Sequence, residues 1–197
     1  EVAEVYRGKY LDLIENLPQT VASWGANSRL ETDHLGAIPR TNVSIKISSL
    51  SARVDPIDTE GSIRTLMAEI LPILESARKH GVLVNFDMEQ FALKDLTIEL
   101  FKRCCEAVDF EAGLAMQAYL RSAPDDARSV VDALASNNGR IEINWQLSGD
   151  ALLKPCVKVM LNFALMAIDA LVRGGTIDIA ADLHETASEL VVRASGA

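Results

Sequence analysis

Apolar residues recur along this chain in two rhythms, and the change from one to the other marks its elements. Ile63, Leu66, Met67, Ile70, Leu71, Leu74 and Ala77 follow at three- and four-residue steps, which sets them on one face of a helix. Asp55-Pro56 and Asp58-Thr-Glu-Gly61 supply turn and cap chemistry before it, and Lys79-His80-Gly81 supplies positive charge and a glycine stop at its end. Pro72 within it predicts a kink. The rhythm then changes to a short apolar run, Gly81-Val-Leu-Val-Asn-Phe-Asp-Met-Glu-Gln90, that ends in acid and amide. This reads as a buried parallel strand over residues 82–87 with Asp87 at its carboxyl end, where α/β folds place their chemistry.

The same grammar appears in Asn42-Val-Ser-Ile-Lys-Ile-Ser48 and in Gly113-Leu-Ala-Met-Gln-Ala-Tyr119, the latter a strand over residues 114–117. In the first of these Val43, Ile45 and Ile47 alternate with Ser44, Lys46 and Ser48, so Lys46 points away from the aliphatic face. Residues 1–24 read as a helix that Pro18 bends or ends, and residues 27–40 as a connecting loop. Asp95 is a candidate N-cap for a helix carrying Leu96, Leu100, Phe101, Cys104 and Val108, and Pro124-Asp-Asp126 opens another that stops at Ser136-Asn-Asn-Gly139. A fourth strand spans 140–147, with Ile141, Ile143, Trp145 and Leu147 on one face. A long, buried helix over 152–173 follows, stopped by Gly174-Gly175, and then strands at 176–181 and 190–194. The link between those two is too short for a parallel crossover, so they form an antiparallel hairpin. The expected class is α/β: a partial (β/α) barrel-like series of parallel strands and helices, followed by a long helix and an antiparallel hairpin.

Composition narrows the partners. Of 197 residues 49% are hydrophobic and 24% charged, enough to bury a core. A net charge of -9 leaves no basic surface to exchange for counterions, which argues against nucleic acid. The greasy stretch 157–172 is interrupted by Lys158, Asn162 and Asp169, whereas a membrane span needs roughly 20 predominantly apolar residues. Cys104, Cys105 and Cys156 form neither a paired framework nor a metal spacing, so the cytoplasm is the expected compartment. The initial Glu1 suggests a piece of a longer protein.

Candidate chemistry collects at strand ends. Lys46, Asp87 and Gln117 lie near the ends of three successive strands, with Glu89 and Tyr119 just beyond. An ammonium can hold a carboxylate, a carboxylate can orient a cation, and an amide can donate to and accept from a heterocycle. Polar residues are also common at strand ends simply because strands end at the surface. His34, His80 and His184 have no second ligand at metal spacing, so no metal is expected, and His80 suits the helix dipole better than base catalysis. There is no phosphate-binding glycine loop and no nucleophile elbow.

Three motifs in order carry a resemblance. Pro39-Arg-Thr-Asn-Val-Ser-Ile-Lys-Ile-Ser-Ser-Leu50, Asn85-Phe-Asp-Met-Glu-Gln90 with Lys94-Asp-Leu-Thr97, and Gln117-Ala-Tyr119 resemble the proline dehydrogenase domain of bacterial proline-utilisation flavoenzymes over residues 1–134. The resemblance implies a distorted (β/α) barrel that binds FAD at the strand carboxyl ends and oxidises L-proline to Δ1-pyrroline-5-carboxylate. It further implies that Lys46 pairs with the proline carboxylate, Asp87 organises the substrate pocket, Met88 packs near the isoalloxazine, and Gln117 hydrogen-bonds the flavin. The chain departs from the family at Arg140-Ile-Glu-Ile-Asn-Trp-Gln-Leu147, where a flavin-contacting Arg-Leu-Val-Lys-Gly-Ala-Tyr-Trp-type strand is expected. The family's later arginine pair is also missing.

Residues 135–197 resemble a second family. Ile143-Asn-Trp-Gln146, Met160-Leu-Asn-Phe-Ala-Leu-Met-Ala-Ile-Asp-Ala-Leu171 and Arg173-Gly-Gly-Thr-Ile177 are similar to the ATPase-like domain of bacterial histidine phosphotransferases. Asn162 matches the first nucleotide-reaching asparagine of ATP-binding relatives, while Met166 stands where a second is usual. That implies a domain without ATP hydrolysis that docks a response-regulator protein, the alternative to proline oxidation. The whole is then a composite chain.

Overall fold

The computed structural model describes residues 2–33, 36–148, 152–184 and 187–196. His34, one of the three histidines noted above, lies outside the described residues. The chain divides into two compact units, Glu1–Ala115 and Met116–Ala197.

The first unit opens with α1 (Val2–Ala22), which runs through Pro18 without ending there. The expected loop 27–40 instead holds a short helix, α2 (Ser28–Glu31), and a small antiparallel pair, β1 (Thr32–Asp33) and β2 (Gly36–Ala37). Asn27 makes this possible by accepting the Arg29 backbone N–H as the helix cap, a device too local for hydrophobic periodicity to reveal.

Three parallel strands follow in sequence order: β3 (Asn42–Ile45), β4 (Leu83–Phe86) and β5 (Ala112–Leu114). Side-by-side order without reversal is the progression of a (β/α) barrel rather than of a doubly wound sheet. The first strand is shorter than its alternation suggested. Lys46 caps a one-turn helix, α3 (Ile47–Leu50), and Ile47 is buried from that helix rather than from the strand. The third strand is displaced toward its amino end, so Ala115, Met116 and Gln117 lie beyond it.

Between the strands run α4 (Thr59–His80) and α5 (Lys94–Ala107), the latter preceded by a 3-10 turn at Phe91–Leu93. Asp58 caps α4 by accepting the Gly61 N–H at 3.0 Å, and Gly81 ends it in the left-handed region at φ 63°. Asp95 sits in the first turn of α5, whose cap position is Leu93; the acid favours the helix dipole from inside. His80 Nδ1 lies 2.8 Å from the Ser76 carbonyl and donates to it. One sheet face is apolar and buries Val43, Ile45, Val84 and Phe86, with Phe86 edge-on to Phe101 of α5. Arg103 of α5 ties to Glu60 of α4 and to Glu99 of its own helix, each at 2.9 Å.

The second unit contains α6 (Ala123–Asn138), β6 (Ile141–Leu147), α7 (Lys154–Ala170), β7 (Gly175–Leu183) and β8 (Ser188–Gly196). Its sheet order is β6-β7-β8, with β6 parallel and β8 antiparallel to β7. The expected hairpin is therefore present, and the fourth strand joins it in parallel through α7. Ile141, Ile143, Trp145 and Leu147 turn to the helical side as their alternation implied. Val157, Met160, Ala164 and Ala167 of α7 pack on that side with Ile177 and Ile179. The expected buried helix is buried along one face only: Val159, Phe163 and Leu165 are exposed, because a single sheet covers one stripe. The helix is also shorter than 152–173, ending at Ala170 with Leu171 as cap. No helix among the described residues is long and apolar enough to cross a membrane.

Candidate functional site

At the carboxyl ends of β3 and β4, two loops converge on a pocket of about 420 Å³ lined by Lys46, Asp87, Met88, Glu89, Gln90 and Ala115. The strand register builds it. Asp87 continues the β4 ladder by donating its N–H to the Ile45 carbonyl at 3.0 Å, and Ala115 continues β5 by donating to the Phe86 carbonyl at 3.0 Å. The backbone is thus fixed to the last residue before the loops open.

Lys46 is exposed at the rim, and its ammonium makes no ion pair among the described residues. Its backbone is held closely. The Lys46 N–H donates to the Tyr10 hydroxyl of α1 at 3.1 Å, and its carbonyl accepts the Ser49 hydroxyl at 2.6 Å. The side chain is exposed to meet an anion while its backbone is tied on both sides. Asp87 is half-buried, and its Oδ1 accepts from Asn85 Nδ2 at 3.3 Å. Glu89 is turned away from that pair: its two oxygens take the Ser48 hydroxyl at 2.8 Å and the Ser48 N–H at 3.1 Å. Met88 is half-buried among these polar groups.

Lys46, Asp87 and Met88 therefore share one pocket. Gln117 lies past the end of β5, half-buried in the second unit, where its carbonyl accepts the Leu120 N–H at 3.1 Å. Tyr119 is 64% exposed, with the Lys154 ammonium 5.9 Å from its ring centre. Sequence reasoning missed Tyr10, Ser48 and Asn85, which hold Lys46, Glu89 and Asp87, and Ser44, which binds Asn85. Ser44 and Asn85 could have been found, since both occupy polar positions of the strand alternation. Tyr10 reaches from a helix 36 residues away and left no local signal. No cluster of three or more His, Cys, Asp or Glu able to hold a metal occurs among the described residues.

In the second unit Asn162 donates its amide to the Lys158 carbonyl at 2.7 Å, folding back on its own helix. His184 sits in the hairpin link, its N–H donated to the Ala187 carbonyl at 2.8 Å.

Comparison with known proteins gives this arrangement a family. The Proline dehydrogenase family profile matches residues 1–144, and the Histidine phosphotransferase C-terminal domain profile matches residues 124–197. Proline dehydrogenase 1 of Bacillus subtilis (strain 168) is 28% identical over 85 residues, which cover 43% of this chain and 28% of that protein. Its counterpart in Bacillus subtilis subsp. natto is 27% identical over the same length and shares. Among solved structures, proline utilization A (PutA) from Bdellovibrio bacteriovorus, inactivated by N-propargylglycine, matches at TM-score 0.66 and 27% identity. That match covers 84% of this chain and 17% of the PutA chain. PutA from Corynebacterium freiburgense matches at TM-score 0.52 and 18% identity over 85% of this chain and 17% of its own, a likeness of fold alone. The chain thus spans about a quarter of the length of the curated relatives it matches and less of the PutA chains. With a profile match over residues 1–144 this chain belongs to the proline dehydrogenase family, and it is composite, its residues 124–197 matching the histidine phosphotransferase C-terminal domain.

Proposed function

We propose that this chain carries the β3 and β4 portion of a site for FAD-dependent oxidation of L-proline to Δ1-pyrroline-5-carboxylate. The observation that carries the reading is the convergence of Lys46, Asp87 and Met88 on one pocket in a member of this family. The pocket volume falls in the range of small-molecule sites, and its lining mixes a cation, a carboxylate and a thioether. The Lys46 ammonium, unpaired among the described residues, binds the proline carboxylate from the rim. Asp87 faces the substrate and orients its ring nitrogen. Met88 offers a polarisable apolar surface to a flat ring, a role that fits an isoalloxazine. Gln117 is assigned to a flavin hydrogen bond by family resemblance. FAD, held beside Met88 and Gln117, would supply the hydride acceptor for the oxidation.

The proposal includes a cytoplasmic location, in keeping with three free cysteines. It also takes residues 1–134 as the proline dehydrogenase-like region and 135–197 as the phosphotransferase-like region. Purified chain supplied with FAD and L-proline tests it. A flavin spectrum with proline-dependent dye reduction is the expected result, and a colourless protein without turnover rejects it.

The match of residues 124–197 to the phosphotransferase domain favours a second reading, a module that binds a response regulator without hydrolysing ATP. Asn162, engaged with its own helix, suits a domain that holds no nucleotide. Receiver domains should then co-purify with this chain, and their failure to bind removes the reading.

A further inference from the structure

We infer that Asn85 is a positioning residue for Asp87, an inference that rests on the proposed oxidation site. Asn85 and Asp87 stand two residues apart on the same side of β4. The Asn85 amide donates one proton toward Asp87 Oδ1 and the other toward Ser44 Oγ, both at 3.3 Å. A single planar group therefore sets the carboxylate against the neighbouring strand.

The three strands are cut to fit that amide. Ser44, Asn85 and Gly113 are directly paired across β3, β4 and β5. A Cβ built on Gly113 would come within 2.8 Å of Asn85 Oδ1, so the missing side chain is the space into which the amide carbonyl fits. Gly113 has no positive φ, and its small size rather than its backbone freedom is what the position uses. The residue type matters as well. An amide can donate to an anion while adding no charge, whereas an acid at position 85 would repel Asp87. Asn85 is not among the residues that line the pocket. It acts by keeping one oxygen of Asp87 engaged beside the pocket that Asp87 lines.

Two measurements on the full chain test this. The first is the Asn85 side-chain amide resonance by 15N NMR, which needs no turnover. It moves in Asp87→Ala and in Gly113→Ala if the contact and its cradle exist, and an unmoved resonance in Asp87→Ala overturns the inference. The second is proline-dependent dye reduction. Asn85→Ala lowers kcat/KM by roughly 10- to 100-fold, as expected when a substrate-orienting group is displaced. Gly113→Ala lowers it in the same direction. The double variant Asn85→Ala with Asp87→Ala is no worse than Asp87→Ala alone, because the two act as one unit. Additive losses, the mark of a merely structural residue, overturn the inference. If Asn85→Ala fails to fold, Gly113→Ala and the resonance decide. If the unmodified chain oxidises no proline, the functional reading falls, and the resonance still decides whether Asn85 positions Asp87.

Discussion

Glu89 closes on Ser48 with both carboxylate oxygens, one on the hydroxyl at 2.8 Å and one on the backbone N–H at 3.1 Å. Ser48 is the second residue of α3, whose first N–H groups have no partner within so short a helix. A carboxylate from the β4 loop thus caps a helix in the β3 loop and pins the two pocket walls together. Glu89→Ala should cost about 1 to 2 kcal/mol, the value of a helix cap, read by urea denaturation. Because Lys46 precedes α3, the same change should raise KM for proline more than it lowers kcat. A variant with unchanged stability would remove the staple.

Asp87 should behave oppositely. It is half-buried at the pocket and its loss leaves the aliphatic face of β4 untouched. Asp87→Ala should abolish proline oxidation while circular dichroism and the melting temperature stay close to those of the parent. Parallel loss of solubility and activity would contradict this assignment.

The tie between α4 and α5 predicts an acid-sensitive contribution. Hydrogen bonding from Arg103 holds the Glu99 carboxyl below its ordinary value, and Arg103 does the same for exposed Glu60. A lowered carboxylate pKa stabilises the fold above the unfolded value and is lost as pH falls through the folded value. The contribution is therefore full at neutral pH and fades as the pH falls through and below the ordinary carboxylate range. Screening at the surface limits the Glu99 pair to about 0.5 kcal/mol. Arg103→Met should weaken the protein at pH 7, more in low salt than in high, and should flatten the acid limb of a stability profile. A loss independent of pH would show that only the packing of the arginine stem mattered.

Two glycines should respond in opposite senses. Gly175 has φ 147°, and an added Cβ would overlap the Ser195 carbonyl of the paired β8. Gly175→Ala should destabilise the second unit by about 3 kcal/mol, followed through the fluorescence of Trp145, whose indole N–H binds Asp132 at 2.7 Å. Gly8, inside α1, has nothing within 4 Å of a new Cβ. Gly8→Ala should stabilise by about 0.5 to 1 kcal/mol.

The thiols should react in a fixed order. Burial pushes both Cys104 and Cys105 up to about 12, so neither forms thiolate readily near neutral pH. An aromatic disulfide reagent at pH 8 should label Cys156 first, and Cys156→Ser should leave only slow labelling. Rapid reaction at two thiols would contradict the burial of the pair.

How much of this was legible in the sequence depends on the range of the interaction. The helix at Thr59–His80 was readable end to end because its stripe, its Asp58 cap and its Gly81 stop are local chemistry. The strand at Ile141–Leu147 was readable from alternation, yet its parallel pairing with β7 was not, since pairing is a property of two distant segments. Ile47 shows how a correct burial can carry a wrong element: its period-2 position is filled just as well by the first turn of a helix. At the pocket, Lys46 and Asp87 were suggested by residue type and place. The partners that hold them, Tyr10 and Asn85, depend on a helix contact and on a strand register that no single stretch encodes.

Gly81 sets that register. Its left-handed turn releases the chain from α4 with Val82 bound to the Ala77 carbonyl, and β4 begins two residues later, at Leu83. From there side chains alternate, so Val84 and Phe86 go to the helices while Asn85 and Asp87 go to the pocket side. One residue inserted between Gly81 and Leu83, with the cap retained, would present phenylalanine to the pocket and drive the asparagine and aspartate into the apolar layer. The chemistry of the strand end is thus decided by counting, from a glycine that touches none of it.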